Sequence, residues 1–246
     1  MTFVDIELSA EQQQTLQATD PTKWFTKLEF RNTESPEHPK WSDPLRENHE
    51  QKKRLVGDWI DAYAPGRSVL DAFCANGAFA FRAAHAGAAE VTGIDFDPGR
   101  VDIAGLIALW LSDDRLAFEP LDVYDVAVRF STHNPFDVTL ALGGLYHIAD
   151  PAFVLDQLRG VTAGHLILQT SSILPGPVNR ARFVVRQDRT ALGLSSIRGG
   201  RGVWKTSVPC MRALLAHAGF QIVEERRPAH RLRRRFPWWC ALAKAV

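Results

Sequence analysis

Ten consecutive residues, Ser68-Val69-Leu70-Asp71-Ala72-Phe73-Cys74-Ala75-Asn76-Gly77, constrain the fold of this chain more than any others: a short apolar run closes on an acid and passes through small residues towards a helical segment. That order describes a strand, a turn and a helix of an open parallel sheet, in which ligands sit beyond the carboxyl ends of the strands, where loop amides and helix N-termini point outward. Ala75, Gly77 and Ala78 keep the turn slim enough for a ligand to approach the backbone, and the segment reads as a nucleotide-cofactor loop. A second apolar run, Val91-Thr92-Gly93-Ile94-Asp95, also closes on an acid. An ionised carboxylate offers two acceptor oxygens, so Asp95 is the candidate partner for vicinal ribose hydroxyls.

The rest of the chain keeps the same rhythm. Strands are expected over 68–71, 90–94, 115–119, 136–142 and 164–169, with helices over 77–86, 98–110 and 151–159, an alternation that makes a parallel sheet. Ser207-Val208-Pro209 opens a further helix that Gly219 closes, and strands near 220–225 and 237–245 complete the sheet with an antiparallel pair. Residues 1–50 form a polar N-terminal arm or lid, and residues 51–246 a single domain. Helices are expected over Ala10–Ala18 and Leu45–Ala62, the second with Leu55, Val56, Trp59, Ile60 and Tyr63 at helical spacing. Residues 171–206 interrupt the rhythm with Pro175-Gly176-Pro177 and lie over the strand ends, so this insertion and the arm are expected to wall an acceptor pocket.

Composition narrows the partners. Lys and Arg number 29 against 28 Asp and Glu, so no global field favours a polyanion. The basic run Arg226 to Arg235, beside Trp238-Trp239, admits two readings: phosphate contacts with stacking faces for RNA, or a solvated hairpin leading into a buried strand. Three cysteines, Cys74, Cys210 and Cys240, have no paired spacing, which argues against disulfides or a zinc site and for a reducing cytoplasm. No metal is expected. The start of the chain lacks a basic, apolar leader and no window approaches a membrane span, so a soluble protein is expected.

Asp71-x-Phe73-x-Ala75-x-Gly77 resembles the first motif, Asp-x-Gly-x-Gly-x-Gly, of the class I S-adenosylmethionine-dependent methyltransferases, with Phe73 and Ala75 in place of two glycines. Gly93-Ile94-Asp95-Phe96-Asp97 is similar to that family's second motif, Glu119-Pro120-Leu121-Asp122-Val123 to its third-strand acidic turn, and Phe136-Asp137-Val138-Thr139-Leu140 to its fourth strand. Cys74-x-Asn76-Gly77, Gly144-Leu145-Tyr146-His147 and Trp24-Phe25 resemble the group that includes the tRNA wobble-uridine carboxymethyltransferases. The resemblance implies an α/β, Rossmann-like, seven-stranded and mostly parallel sheet with helices on both faces, and S-adenosyl-L-methionine as cofactor. It implies cofactor contacts from Asp71, Phe73, Cys74, Ala75, Asn76, Gly77, Asp95, Phe96, Asp122, Val123, Leu142, Gly143 and Trp24, with Asp122 accepting from the exocyclic amine of adenine. Tyr146 is placed at the sulfonium end, as a contact of cofactor or acceptor, and with His147 beside it makes the pair of catalytic candidates.

Several alternatives stay open at this level. A neutral His147 is able to take a proton from the acceptor, or it orients the loop into Asp150-Pro151. Phe73 packs beneath the loop or crowds the cofactor, and Asp122 also suits an ordinary Asx turn before Tyr124. Trp110, Trp204 and Phe183 suit a flat small molecule, so methyl transfer to an oxygen or nitrogen of a specialised metabolite is the first expectation. A tRNA acceptor is the second, and a cofactor-binding protein without transfer activity the third.

Overall fold

A computed structural model describes residues 2–39, 42–171, 177–185, 202–228 and 238–246 of the 246-residue chain. In chain order the elements are β1 (Thr2–Phe3), α1 (Ala10–Ala18), β2 (Leu28–Glu29), α2 (Asp43–Tyr63), β3 (Ser68–Asp71), α3 (Ala78–His85), β4 (Glu90–Asp95), α4 (Pro98–Leu111) and β5 (Leu116–Pro120). They continue with α5 (Val126–Arg129), β6 (Phe136–Leu142), α6 (Pro151–Gly160), β7 (Thr162–Ser171), β8 (Ala181–Val185), β9 (Gly202–Thr206), α7 (Val208–His217), β10 (Phe220–Arg226) and β11 (Trp238–Ala245).

The main sheet has seven strands in the order β10-β11-β7-β6-β3-β4-β5. Strands β7, β6, β3, β4 and β5 run parallel, and β11 pairs antiparallel with both β7 and β10. Helix starts are written in local chemistry: Asp97 accepts from Gly99 N–H ahead of α4, Asp150 from Phe153 N–H ahead of α6, and Ser207 from Cys210 N–H ahead of α7, each with a proline in the first turn. One face of the sheet buries Val56, Trp59 and Ile60 of α2 against Val69, Val138, Leu140 and Ile167. The other buries Val154, Leu155 and Leu158 of α6 and Met211 and Leu215 of α7 against Leu70, Ala141, Leu166 and Leu168.

The arm departs from its sequence reading. It adds a two-stranded parallel sheet, β1 with β2, that runs too short to show any periodicity, and it has a core of its own. Leu8, Leu16, Trp24, Leu28 and Phe30 pack with Phe81 of α3 and Ile103 and Ile107 of α4. Helix α2 runs straight across residue 50, so the arm and the sheet share an element. The insertion contributes the antiparallel hairpin β8–β9; its residues 172–176 and 186–201, like the basic stretch 229–237, lie outside the described residues. Trp238 and Trp239 are buried within β11, which removes them as exposed stacking faces. Among the described residues no helix is long and apolar enough to cross a membrane, and no cluster of His, Cys, Asp and Glu is arranged to hold a metal ion. All three cysteines are free.

Candidate functional site

Strand order reverses between β3, β4 and β6, because β3 pairs with both of the others, and the crevice at their carboxyl ends is where an open α/β sheet binds ligands. The loop leaving β3 turns through positive φ twice, at Ala75 (48°) and Gly77 (85°). An alanine in that region costs about 1–2 kcal/mol, so something must hold it. Asp95 does: its Oδ2 accepts from Ala75 N–H at 3.0 Å and its Oδ1 from Asp97 N–H at 3.0 Å, tying the loops after β3 and β4 together. Burial raises the Asp95 pKa, while the Asp97 amide, the Arg100 charge and the Ala75 amide pull it back.

A cavity opens beside this carboxylate. Ala75, Asp95, Phe96, Asp122 and Val123 line one end, Leu142, Gly143, Gly144 and His147 the other, and Phe73 lies between. Asp122 also makes the Asx turn, its Oδ1 accepting from Tyr124 N–H at 3.1 Å. Two further lining residues, Phe25 and Arg100, were missed in the sequence. Burial alternates strictly from Trp24 to Phe30, so Trp24 points into the arm core, where its Nε1–H donates to Thr19 Oγ1, and Phe25 faces the cavity in its place. That period of two was the available signal. Arg100 is buried in the first turn of α4 with its guanidinium over the Phe25 ring, and only its position just after a strand-end acid hinted at it.

Other expected cofactor residues do not line the cavity. Cys74 is buried behind the loop, beside Gly93 of β4, and burial raises its thiol pKa well above the ordinary value. Gly77 is the N-cap of α3. Asn76 is fully buried and turned towards the arm: its Oδ1 accepts from Thr26 N–H at 2.9 Å and its Nδ2 donates to Thr26 O at 2.8 Å. Together with the Lys23–Asp97 ion pair at 3.0 Å, this clamp fixes Phe25 over the cavity. Tyr146 stands behind His147, their rings 4.1 Å apart, and approaches Trp238 at 5.9 Å. Of the aromatic residues assigned to the pocket, Trp110 packs instead with the arm, whereas Phe183 and Trp204 face each other across the hairpin, with Trp204 Nε1–H donating to Ala149 O.

Asp71 also lies off the cavity wall, fully buried, and neither carboxylate oxygen has a hydrogen bond of ordinary geometry, although the amides of Phe73 and Ala80 approach them. Burial pushes its pKa up to about 7; the amides of Phe73 and Ala80 oppose the rise and the charge of Asp95 adds to it. Because the folded value lies above the unfolded one, the folded state holds this proton more tightly, and stability falls as pH rises from about 4 through about 7. Asp71→Asn, which cannot ionise, is expected to melt above the parent at pH 8 by up to about 4 kcal/mol of stability, with the difference vanishing near pH 4. Thermal melts of both proteins across that range check the sign.

Phe73 settles the question of its own place by packing on Gly144: a Cβ added at Gly144 would lie 2.1 Å from Phe73 Cδ1. The ring thus fills the room left by a missing side chain while one edge forms the cavity floor. Gly144→Ala is expected to destabilise the protein by about 1–3 kcal/mol through overpacking. The same substitution in a Phe73→Ala background is expected to cost distinctly less, as urea denaturation of the four proteins measures.

The donor set suits a nucleoside cofactor. Asp95 uses two of its four acceptor positions on backbone amides and keeps two for a ribose, Phe96 and Val123 offer apolar faces to a base, and Ala75 lets the backbone come close. A family model described as a methyltransferase domain matches residues 64–191. The chain is 33% identical to a tRNA U34 carboxymethyltransferase of Methylococcus capsulatus over 176 residues, which cover 69% of this chain and 48% of the relative. It thus spans about half the length of the curated relatives it matches. Among solved structures it is similar to the N-terminal domain of EvdMO1, crystallised in the presence of SAH and D-fucose (TM-score 0.64, 18% identity, 96% of this chain and 94% of that one). A second is the 1,6-didemethyltoxoflavin-N1-methyltransferase of Burkholderia thailandensis (TM-score 0.58, 17% identity, 83% and 86%).

Proposed function

The chain belongs to the methyltransferase-domain family, and from that premise we propose that it transfers the methyl group of S-adenosylmethionine to an oxygen or nitrogen of a small-molecule acceptor. The observation that carries the choice of acceptor is the apolar lining of the cavity. Phe25 of the arm, Phe73 and His147 line the cavity, and among the described residues the cations beside it, Arg100 and Lys52, are buried rather than spread over an open groove. Largely apolar pockets of this kind suit small molecules, whereas nucleic-acid sites present exposed cations along a surface. The hairpin β8–β9 supports the same reading, since it docks through Trp204 on the turn that carries His147.

In this reading Asp95 holds the ribose, Asp122 and Val123 the base, and Ala75 gives the backbone approach. The bound cofactor supplies a methyl group on a sulfonium, a good leaving group, so the protein's share is alignment and exclusion of water. The Asn76 clamp keeps Phe25 in place as a lid, and Phe73 on Gly144 sets the floor. His147 stands at the acceptor end, positioned to take a proton from a hydroxyl or amine.

Methylation of a library of phenols, acids and amines, followed as release of demethylated cofactor, tests the proposal: turnover is expected with at least one class, and none with bulk tRNA. His147→Gln is expected to lower kcat by about 100-fold with cofactor affinity kept. Salt-sensitive methylation of tRNA would transfer the reading to RNA, an alternative favoured by the names of the relatives.

A further inference from the structure

A second polar cluster lies beyond Gly143, outside the set assigned to the cofactor. Helix α2 carries Lys52 over the carboxyl ends of β6 and β7 and the start of β11. Its Nζ sits 4.4 Å from the Trp238 ring centroid and 5.7 Å from that of Phe25. Lys52 is 7% exposed, and among the described residues no carboxylate lies within ion-pair distance of it. On β7, Gln169 is 1% exposed, and neither its Oε1 nor its Nε2 has a hydrogen-bond partner. The two side chains converge on one point: a Cβ built on Gly143 would lie 3.3 Å from Lys52 Nζ and 3.5 Å from Gln169 Oε1. Gly143 itself lines the cavity, at the end where His147 stands.

A buried ammonium without a counter-ion and a buried carboxamide without partners are each unfavourable by themselves. The carboxamide can both donate and accept, and the ammonium calls for negative charge. The rings of Trp238, Phe25 and Tyr146 surround the ammonium or stand beside it and would flank a flat ligand. Gly143, with φ of 81°, leaves open the space that any side chain would take.

We propose that Lys52 and Gln169 form the acceptor-recognition site, and that the acceptor is a planar small molecule carrying an acidic group, a carboxylate or an equally acidic hydroxyl, which Lys52 holds as the anion while Gln169 pairs with its neighbouring polar atom. This deepens the small-molecule reading above and rests on it. Burial supports the assignment from a second side: it lowers the Lys52 pKa to about 8, opposed only in part by the neighbouring Cys240 thiol.

The test is calorimetric titration of the protein, saturated with the demethylated cofactor, using benzoate and the uncharged isostere benzyl alcohol. Benzoate is expected to bind at least tenfold more tightly than the alcohol. Lys52→Met is expected to erase that preference, and so is Gln169→Glu, which places a counter-charge beside Lys52 and fills the site from within. Both variants are expected to keep demethylated-cofactor affinity within threefold, which also reports that they fold. Equal binding of the two probes, no binding of benzoate, or an undiminished preference in both variants would overturn the proposal. So would a loss confined to carboxylated S-adenosylmethionine, which would put the acid on the cofactor. Failure of the parent protein to bind the demethylated cofactor at all would instead remove the methyltransferase reading beneath it.

Discussion

Asp95→Ala is expected to raise the dissociation constant for the demethylated cofactor by at least about 100-fold and to lower the melting temperature at the same time. Both effects have one origin. The carboxylate accepts from the amides of Ala75 and Asp97, and without it one buried and one part-buried N–H group lose their partners, the buried one at about 1–3 kcal/mol. The left-handed turn at Ala75 then has nothing to hold it, so the backbone that a cofactor must approach relaxes. In the proposed reading the ribose would lose its acceptor as well, a charged hydrogen bond of about 1.5–3 kcal/mol. Asp95→Asn separates the contributions: it keeps the volume and one carbonyl acceptor but turns an NH2 group towards one of the two amides. Its affinity is expected to fall between the parent and the alanine variant. Calorimetric titration with thermal melts reads both quantities, and an affinity for Asp95→Ala within threefold of the parent would take Asp95 out of the cofactor site.

The second large effect belongs to Asn76. Its side chain mimics a strand partner for Thr26, satisfying that residue's N–H and C=O together in a fully buried place. Thr26 in turn shares a 2.9 Å hydrogen bond with His49 of α2, so the clamp links the loop after β3, the arm and the long helix. Asn76→Ala leaves both backbone groups of Thr26 unpaired, a loss of about 2–5 kcal/mol when the two are taken together. For a domain of this size that corresponds to a fall in melting temperature of roughly 5–15 °C. The loss is expected to be local first: amide exchange should quicken from residue 20 to residue 30 while the amides of β3, β6 and β7 stay protected. Cofactor affinity is expected to fall as well, because Phe25 leaves the cavity. Uniform loss of protection across the sheet would instead mark Asn76 as part of the global core.

Much of the fold was legible in the chain because its signals are local. Apolar runs closing on Asp71 and Asp95 announced strand ends, Asp97-Pro98 and Asp150-Pro151 announced helix starts, and Gly219 announced a helix end, as its φ of 81° bears out. The antiparallel return of β11 followed from two late strands joined by a short polar stretch. Phe96, Val123, Leu142 and His147, named by resemblance, all reach the cavity wall because strand ends place side chains in a fixed order once the strand register is set.

The sequence by itself determined which residues form strands, where the two strand-end acids fall and which loop a cofactor would approach, since each depends on neighbours a few positions apart. Only the tertiary structure decided where the side chains of that loop point. Asn76 meets Thr26 of a distant arm, Phe73 fills the space over Gly144, Asp71 is closed off from water beneath its own loop, and Lys52, Gln169 and Trp238 come together from three separate elements. The reason is physical. A helix or strand repeats with a fixed period that the chain displays, whereas desolvation and contact at a loop are sums over every element packed around it, and those elements acquire neighbours only when the sheet closes.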